Sequence, residues 1–215
     1  MALYLDSAFV EEAREAFTLH FVSGITTNPA LLAQAEKPFE EVIYELSRIS
    51  SGRVYYQLTG GTIEEKREEA DRMISLSPLM IGLKIPCSTE NLSLAADFIK
   101  AGVEVGITAV YSPAQVYLAC QIGAQIVLPY VNRSTRLLGD GLALVKEMRT
   151  VIDACGSRTQ ILAASIKSPR EAWQTAAAGA HHLTLPLDVI HQMGDHFLSD
   201  QAVEEFTRAL EGSEG

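Results

Sequence analysis

Residues 80–88 read MIGLKIPCS and place a lysine inside a segment that is otherwise typical of a buried β-strand. Side chains alternate between the two faces of a strand, so Ile81, Leu83 and Ile85 share an apolar face. Lys84 lies on the opposite face, between a glycine and a proline. Because a buried lysine needs a partner or a chemical role, the fold must give this side chain an interior that is not wholly apolar.

Strand-like and helix-like segments alternate along the whole chain. Short β-branched and apolar runs occur near residues 3–6, 24–27, 53–58, 80–86, 104–111, 125–131, 160–165 and 182–187. Helical patterns lie between them, and two begin with clear capping sequences at Thr62 and Ser168. Alternation of this kind implies parallel βα units, and eight such units predict a single (β/α)8 barrel over residues 1–215.

A doubly wound open sheet is the alternative α/β architecture. Its usual glycine-rich sequence, G-x-G-x-x-G after the first strand, does not occur in this chain. The glycines of LTGGT at 58–62 are better explained as a turn into the next helix. The barrel is therefore the favoured prediction.

The segment after the eighth strand continues beyond what a closing helix requires. Ser199 and Asp200 can cap a further amphipathic helix that carries Val203, Phe206 and Leu210 on one stripe. We expect residues 199–215 to form a C-terminal helix and tail that contact a neighbouring subunit.

The charge, apolar runs and cysteines of the chain exclude several classes of function. The net charge of −10 argues against nucleic acid or an anionic membrane surface as the main partner. No apolar run approaches the ~20 residues that span a bilayer, and the N-terminus lacks the features of a secretory signal, so we expect a cytoplasmic protein. The three cysteines are widely spaced without a C-x-x-C pair, which indicates neither a disulfide framework nor a metal site.

Strand alternation places a polar side chain at or near the end of most predicted strands. In a parallel barrel, inward side chains fill the lumen, and chemistry occurs at the C-terminal ends of the strands. These side chains belong to Asp6, Asn28, Gln57, Lys84, Thr108, Tyr130 and Ser165. Each alone has an ordinary explanation, such as a helix cap or a solvated strand end. Together, in matching register, they predict a polar pocket around the lysine.

Alternation assigns the seventh strand but leaves the eighth undecided. In ILAAS at 161–165, alternation groups Ala163 with Ser165 on the inward face. In HLTLPLD at 182–188, the pattern does not decide between Thr184 and Asp188 as the inward residue. The pocket lining is therefore assigned for seven strands.

A lysine in such a pocket indicates an amine nucleophile. Free lysine has a pKa of about 10.4, so only about one in 10³ is neutral at pH 7. Desolvation favours the neutral amine, which can attack a substrate carbonyl to form a Schiff base. Proton transfer then needs an acid or base, for which Asp6 and Tyr130 are the candidates.

A second lysine competes with Lys84. Lys167 also follows an apolar run, but it precedes a Ser-Pro helix start and is expected in a loop. Lys167 and Arg170 follow strand seven, where barrels often hold phosphate, and Arg133 follows strand six. These cations predict a positively charged mouth of the barrel, suited to a sugar phosphate. The alternative is that they are solvated loop charges with no role in binding.

At the level of motifs, the chain resembles a known family. The ordered segments LYLD, GITTNPALL, IGLKIP, GITAVYSPAQ, PYVNR, LAASIKSPR and LTLPLDV resemble the transaldolase family, and within it the short fructose-6-phosphate aldolase branch. The resemblance runs from residue 2 to about residue 193. It implies a (β/α)8 barrel and Schiff-base chemistry without metal or cofactor. It also implies a ring-shaped homo-oligomer, a pentamer or a decamer.

The resemblance further implies a substrate and residue roles. A ketose or ketose phosphate would be cleaved to dihydroxyacetone, or a related C3 ketone, and an aldehyde. Lys84 would form the Schiff base, and Asp6 would act as acid or base. Gln57, Thr108 and Tyr130 would hold a catalytic water. The candidate substrate-binding residues are Thr26, Asn28, Arg133, Ser165 and Lys167.

Three positions favour the aldolase branch over true transaldolases. The latter tend to carry Glu at the position of Gln57, Phe at Tyr130 and Asn at Gly106. The LTGG segment after Gln57, however, departs from the sequence expected of the aldolase branch.

Three other functions stay open. A transaldolase would transfer the C3 unit to erythrose 4-phosphate. A non-catalytic sugar-phosphate-binding barrel would keep Arg133 and Ser165 without needing Lys84. An enzyme like deoxyribose-phosphate aldolase would need a second nearby lysine, for which Lys167 is the contender.

Overall fold

Eight parallel strands close into a barrel in the computed structural model, which describes residues 1–211. Each strand pairs with its sequence neighbours, and β1 closes the ring against β8. The strands are β1 (Ala2–Asp6), β2 (Val22–Thr26), β3 (Val54–Gln57), β4 (Ile81–Pro86), β5 (Val105–Val110), β6 (Ile126–Pro129), β7 (Gln160–Ala163) and β8 (His182–Leu185). The predicted (β/α)8 barrel is confirmed, and the open sheet is excluded.

Helices follow the strands and cover the outside of the barrel. They are α1 (Val10–Thr18), α2 (Pro29–Leu32), α3 (Phe39–Ile49), α4 (Ile63–Leu76), α5 (Thr89–Lys100), α6 (Pro113–Gln121), α7 (Val131–Leu138), α8 (Gly141–Ala154), α9 (Pro169–Ala177), α10 (Leu187–Gly194) and α11 (Phe197–Glu211). Thr62 and Glu65 form the predicted capping box of α4, and Ser168 caps α9. Within residues 1–211, no helix is long and apolar enough to cross a membrane.

The two faces of each strand have different neighbours. Outward side chains such as Leu5 and Ile85 are fully buried in the main core beneath the helices. A separate inner cluster fills the lumen towards the N-terminal ends of the strands. It consists of Tyr55, Ile126, Leu128 and Leu162, with Tyr4 packed against it. A side chain at Gly82 would lie 2.7 Å from the Tyr55 ring, so the glycine before Lys84 makes room for this cluster.

The structure corrects the predicted alternation in β7. Leu162 belongs to the inner cluster and Ala163 to the outer core, the reverse of the sequence prediction. Ser165 nevertheless lines the lumen, because its φ of 58° interrupts the strand alternation just past the end of β7.

The C-terminal helix begins earlier than predicted. α11 starts at Phe197, so Ser199 and Asp200 lie within its first turn and do not precede it as caps. Val203, Phe206 and Leu210 are 62%, 68% and 70% exposed. The predicted tail at residues 212–215 lies outside the described residues.

Candidate active site

A cavity of about 400 Å³ opens at the C-terminal ends of the strands. The predicted site residues that line it are Asp6, Asn28, Gln57, Lys84, Tyr130, Arg133, Ser165 and Lys167. Thr26 and Thr108 do not line it, but each bonds to a residue that does. Six of the eight strands, all except β5 and β8, thus bring polar side chains to the cavity lining, as parallel strands in a closed barrel allow.

Lys84 lies at the base of this cavity, on β4. Its side chain is only 2% exposed, and Nζ donates a 2.6 Å hydrogen bond to the backbone carbonyl oxygen of Thr27. Burial lowers the pKa of Lys84 to about 8, although the attraction of Asp6 opposes that change. With this pKa, roughly one amine in ten is neutral at pH 7, compared with about one in 10³ for free lysine, and the neutral form is the nucleophile.

Asp6 ends β1 and is held by a chain of two buried hydroxyl groups. The Thr26 hydroxyl donates to Asp6 Oδ1 at 2.9 Å. Thr184 Oγ1 lies 2.7 Å from Thr26 Oγ1 and must donate to it, since the Thr26 proton is already engaged. Burial raises the pKa of Asp6, against the opposing effects of Lys84 and the Thr26 bond. A carboxyl group with a raised pKa holds a proton more readily than an ordinary one and is a stronger base when ionised.

The Thr26–Thr184 pair resolves the orientation of β8. Leu183 and Leu185 belong to the outer core, whereas Thr184 bonds to Thr26 behind Asp6, so Thr184 is the inward residue. Asp188 is exposed and lies in α10, beside a neighbouring depression of the surface. Thr26 was predicted to bind substrate, but the structure places it behind Asp6 and outside the cavity lining.

Three more polar side chains around Lys84 carry hydrogen-bonding groups: Tyr130, Thr108 and Gln57. The Tyr130 hydroxyl lies 3.0 Å from Thr108 Oγ1. Burial raises the pKa of Tyr130, so the phenol keeps its proton at neutral pH. Gln57 is the register partner of Lys84, and its buried Oε1 has no hydrogen-bond partner within residues 1–211. A buried acceptor of this kind fits a water or a substrate hydroxyl.

Three cations stand at the cavity mouth. They are Arg133 and Arg136, one turn apart on α7, and Lys167 after β7. The Arg133 guanidinium packs over the Tyr130 ring at 4.9 Å. Among residues 1–211, none of the three forms an ion pair with a carboxylate, although the chain is acidic overall. The mouth is therefore a locally positive surface, which would attract an anion.

Sequence reasoning missed Arg136 and misplaced Arg170. The i, i+3 spacing of Arg133 and Arg136 on a helix was the signal that could have found the former. Arg170 lies on α9 and does not line the cavity. Of the two candidate lysines, Lys84 is buried in the lumen, whereas Lys167 is exposed at the mouth. Within the described residues, no group of three His, Cys, Asp or Glu side chains could hold a metal ion.

Comparison with known proteins identifies the family. Residues 3–214 match the family model described as transaldolase/fructose-6-phosphate aldolase. The chain belongs to this family. It is 34% identical over 206 residues to a probable transaldolase of Geotalea uraniireducens, covering 96% of both chains. A probable transaldolase of Symbiobacterium thermophilum is 34% identical over 215 residues, covering 100% of this chain and 99% of that protein.

Solved structures from outside this family share its barrel. A mutant flavocytochrome b2 with pyruvate bound aligns with a TM-score of 0.62 at 12% identity. That alignment covers 87% of this chain and 56% of the other. A mandelate oxidase mutant aligns with a TM-score of 0.57 at 15% identity, over 84% of this chain and 59% of the other. Identities this low show the fold alone.

Proposed function

We propose that this family member is a Schiff-base aldolase resembling fructose-6-phosphate aldolase, which acts in the cytoplasm. It reversibly cleaves a ketose or ketose phosphate into dihydroxyacetone, or a related C3 ketone, and an aldehyde such as glyceraldehyde 3-phosphate. The observation that carries this proposal is the burial of Lys84, whose pKa is lowered to about 8, in a lumen that is otherwise polar at this level.

The first step is formation of the Schiff base. The neutral Lys84 amine attacks the ketose carbonyl carbon. The protonated carboxyl group of Asp6 then gives its proton to the departing hydroxyl, so that loss of water leaves a protonated imine and an ionised Asp6. Asp6 then accepts the proton of the C4 hydroxyl, and the C3–C4 bond breaks. The electron pair of that bond moves into the iminium to form an enamine, and the aldehyde leaves. Asp6 suits this step because burial has raised its pKa towards the working range.

The second half of the reaction returns the enzyme to its free state. Asp6 returns its proton to the enamine carbon through a water held by Tyr130, Thr108 and Gln57. Hydrolysis of the resulting protonated imine then releases the C3 ketone, the Lys84 amine and a proton that Asp6 takes back. The 3.0 Å contact between the Tyr130 and Thr108 hydroxyls and the unpartnered Oε1 of Gln57 support this assignment. The three cations at the mouth suit the phosphate of the aldehyde half, with Ser165 and Asn28 beside them.

Transaldolase activity is the second candidate. The curated relatives are named probable transaldolases, and the same enamine could attack the aldehyde of erythrose 4-phosphate in place of being protonated. A non-catalytic sugar-phosphate binder would leave the lowered pKa of Lys84 without a purpose. A mechanism with two lysines, as in deoxyribose-phosphate aldolase, would use Lys167, whose exposure at the mouth offers no similar desolvation.

Two measurements test the proposal. Borohydride with dihydroxyacetone should add a C3 mass to the peptide containing Lys84, with Lys84→Met as the control. An adduct on Lys167, or no adduct, would overturn the assignment. Incubation with fructose 6-phosphate should release free glyceraldehyde 3-phosphate without an acceptor. If release requires erythrose 4-phosphate, the protein is a transaldolase.

A further inference from the structure

One buried carboxylate, Glu69, has no part in the chemistry described above. It lies on α4 with only 6% of its surface exposed. It accepts a 2.6 Å hydrogen bond from the Tyr56 hydroxyl and a 2.8 Å bond from the Thr59 hydroxyl. The backbone amides of Thr59 and Gly60 also donate to it, at 2.9 and 2.8 Å. Four donor groups therefore converge on one carboxylate.

These bonds keep Glu69 ionised. Burial alone would raise its pKa, but the bonds from Tyr56, Gly60 and Thr59 outweigh burial and lower the pKa of Glu69. Charge-assisted bonds to a buried carboxylate are among the stronger hydrogen bonds of a protein. The segments that donate them are therefore held firmly to α4.

The donors lie on either side of Gln57. Tyr56 precedes Gln57 on β3 and points outward to Glu69, so Gln57 points the opposite way, into the cavity. Thr59 and Gly60 are the second and third residues after the end of β3. The Glu69 carboxylate is thus hydrogen-bonded to the chain both before and after Gln57, whose side chain lines the cavity.

Gln57 lacks a comparable support of its own. Its Oε1 is buried and bonds to nothing else in residues 1–211. The loop after it lies against α4, since a side chain at Gly60 would come within 2.8 Å of the Lys66 amide nitrogen. The Glu65 carboxylate accepts two further bonds from the backbone amides of Gly61 and Thr62, at 2.8 and 2.9 Å. The position of Gln57 therefore follows from how this loop is fixed to α4.

We propose that Glu69 is a positioning residue for Gln57, acting from behind β3 to fix the amide that faces Lys84. The inference rests on the proposed function, because it concerns the step that Gln57 serves. It also gives a role to the LTGG segment: Thr59 supplies a side-chain and a backbone donor, and Gly60 allows the loop to lie against the helix.

A double-mutant cycle tests the proposal. Glu69→Gln keeps the size of the side chain but replaces an acceptor oxygen with a donor, so it cannot accept all four bonds. We expect E69Q to lower kcat for fructose 6-phosphate cleavage on the order of tenfold to a hundredfold, as small misplacements of a reacting group do. In a Gln57→Ala background, the same change should cost less than about twofold, because coupled residues are not additive.

Glu104→Gln is the matched control. Glu104 accepts a 2.9 Å bond from the hydroxyl of Tyr55, also on β3, but it precedes β5 at the opposite end of the barrel. We expect E104Q to lower the melting temperature. Any change that it causes in kcat should be the same in the parent protein and in the Gln57→Ala variant. If E69Q does not fold, Tyr56→Phe removes one of the four bonds and should show the same non-additivity.

The outcomes separate the two proposals. A Lys84 adduct together with equal losses from E69Q in both backgrounds would overturn the positioning role alone. Absence of the Lys84 adduct would overturn the proposed function, and the positioning role with it. A loss of kcat confined to the background that retains Gln57 would support both.

Discussion

The Nζ atom of Lys84 donates one hydrogen bond, 2.6 Å long, to the backbone carbonyl oxygen of Thr27, and it makes no other within residues 1–211. An ammonium group has three donor protons, so two of those of Lys84 have no protein acceptor, and the side chain is almost fully buried. Full protonation of Lys84 is therefore costly, which is the physical reason that its pKa falls to about 8.

Replacing this amine should not destabilise the fold. The drop from 10.5 to about 8 corresponds to a cost of about 3 kcal/mol at neutral pH. Lys84→Met removes that cost and loses one hydrogen bond, worth about 1 kcal/mol. We expect the variant to be inactive but at least as stable as the parent in denaturant unfolding at pH 7. A large loss of stability would instead indicate a structural ion pair with Asp6.

The effect should depend on pH in a defined window. The folded pKa of Lys84, about 8, lies below the unfolded value of 10.5, so the unfolded state binds the proton first as pH falls. The stability advantage of K84M should be absent above about pH 10.5, grow between 10.5 and 8, and stay constant below 8. Adduct formation in the parent should rise with pH through about 8, as the amine becomes neutral. Equal stability of the two proteins at every pH would contradict the lowered pKa.

Tyr130→Phe should distinguish the aldolase from the transaldolase. Loss of a positioned proton-transfer group costs roughly 10²–10⁴ in rate, whereas loss of a packing hydroxyl costs about 1 kcal/mol of stability. We expect fructose 6-phosphate cleavage to fall at least ~tenfold, while C3 transfer to erythrose 4-phosphate holds or rises. Both rates are measured on one preparation. If they fall together, Tyr130 serves Schiff-base formation generally.

Arg136 should contribute to selection of phosphorylated substrates. It lines the cavity one turn from Arg133 and has no carboxylate partner among the described residues. A charge-assisted bond to phosphate is worth about 1.5–3 kcal/mol, so Arg136→Ala should raise KM for fructose 6-phosphate about tenfold or more. KM for unphosphorylated fructose should not change. Arg170→Ala, outside the cavity, is the control, and an equal rise for both sugars would refute this role.

α11 should be needed for assembly, which we propose is a ring-shaped homo-oligomer. Val203 and Phe206 lie on one face of α11 and are 62% and 68% exposed, and an exposed apolar stripe of this kind usually meets a partner. Deletion of residues 197–215 should dissociate the oligomer in light scattering, and Phe206→Glu should weaken it at low protein concentration. A monomeric parent protein would disprove the proposal.

Much of the fold and part of the site could be predicted from the sequence. Strand and helix periods, capping boxes such as Thr62–Glu65, and the number of βα units depend on local pattern, and they predicted the barrel. Strand alternation identified Lys84 as an inward residue, because the six residues of β4 alternate regularly and those on the other face are all apolar.

Tertiary structure decided what local pattern cannot encode. Ser165 enters the cavity through a positive φ that breaks alternation, and Thr184 faces inward to meet Thr26 from a strand 158 residues away. Arg133 and Arg136 are neighbours by their spacing on α7, but both reach the cavity only because α7 lies over the mouth. Sequence determines which residues alternate along each segment. Burial, hydrogen-bond partners and the resulting pKa values depend on contacts between segments far apart in the chain, and these exist only once the barrel closes.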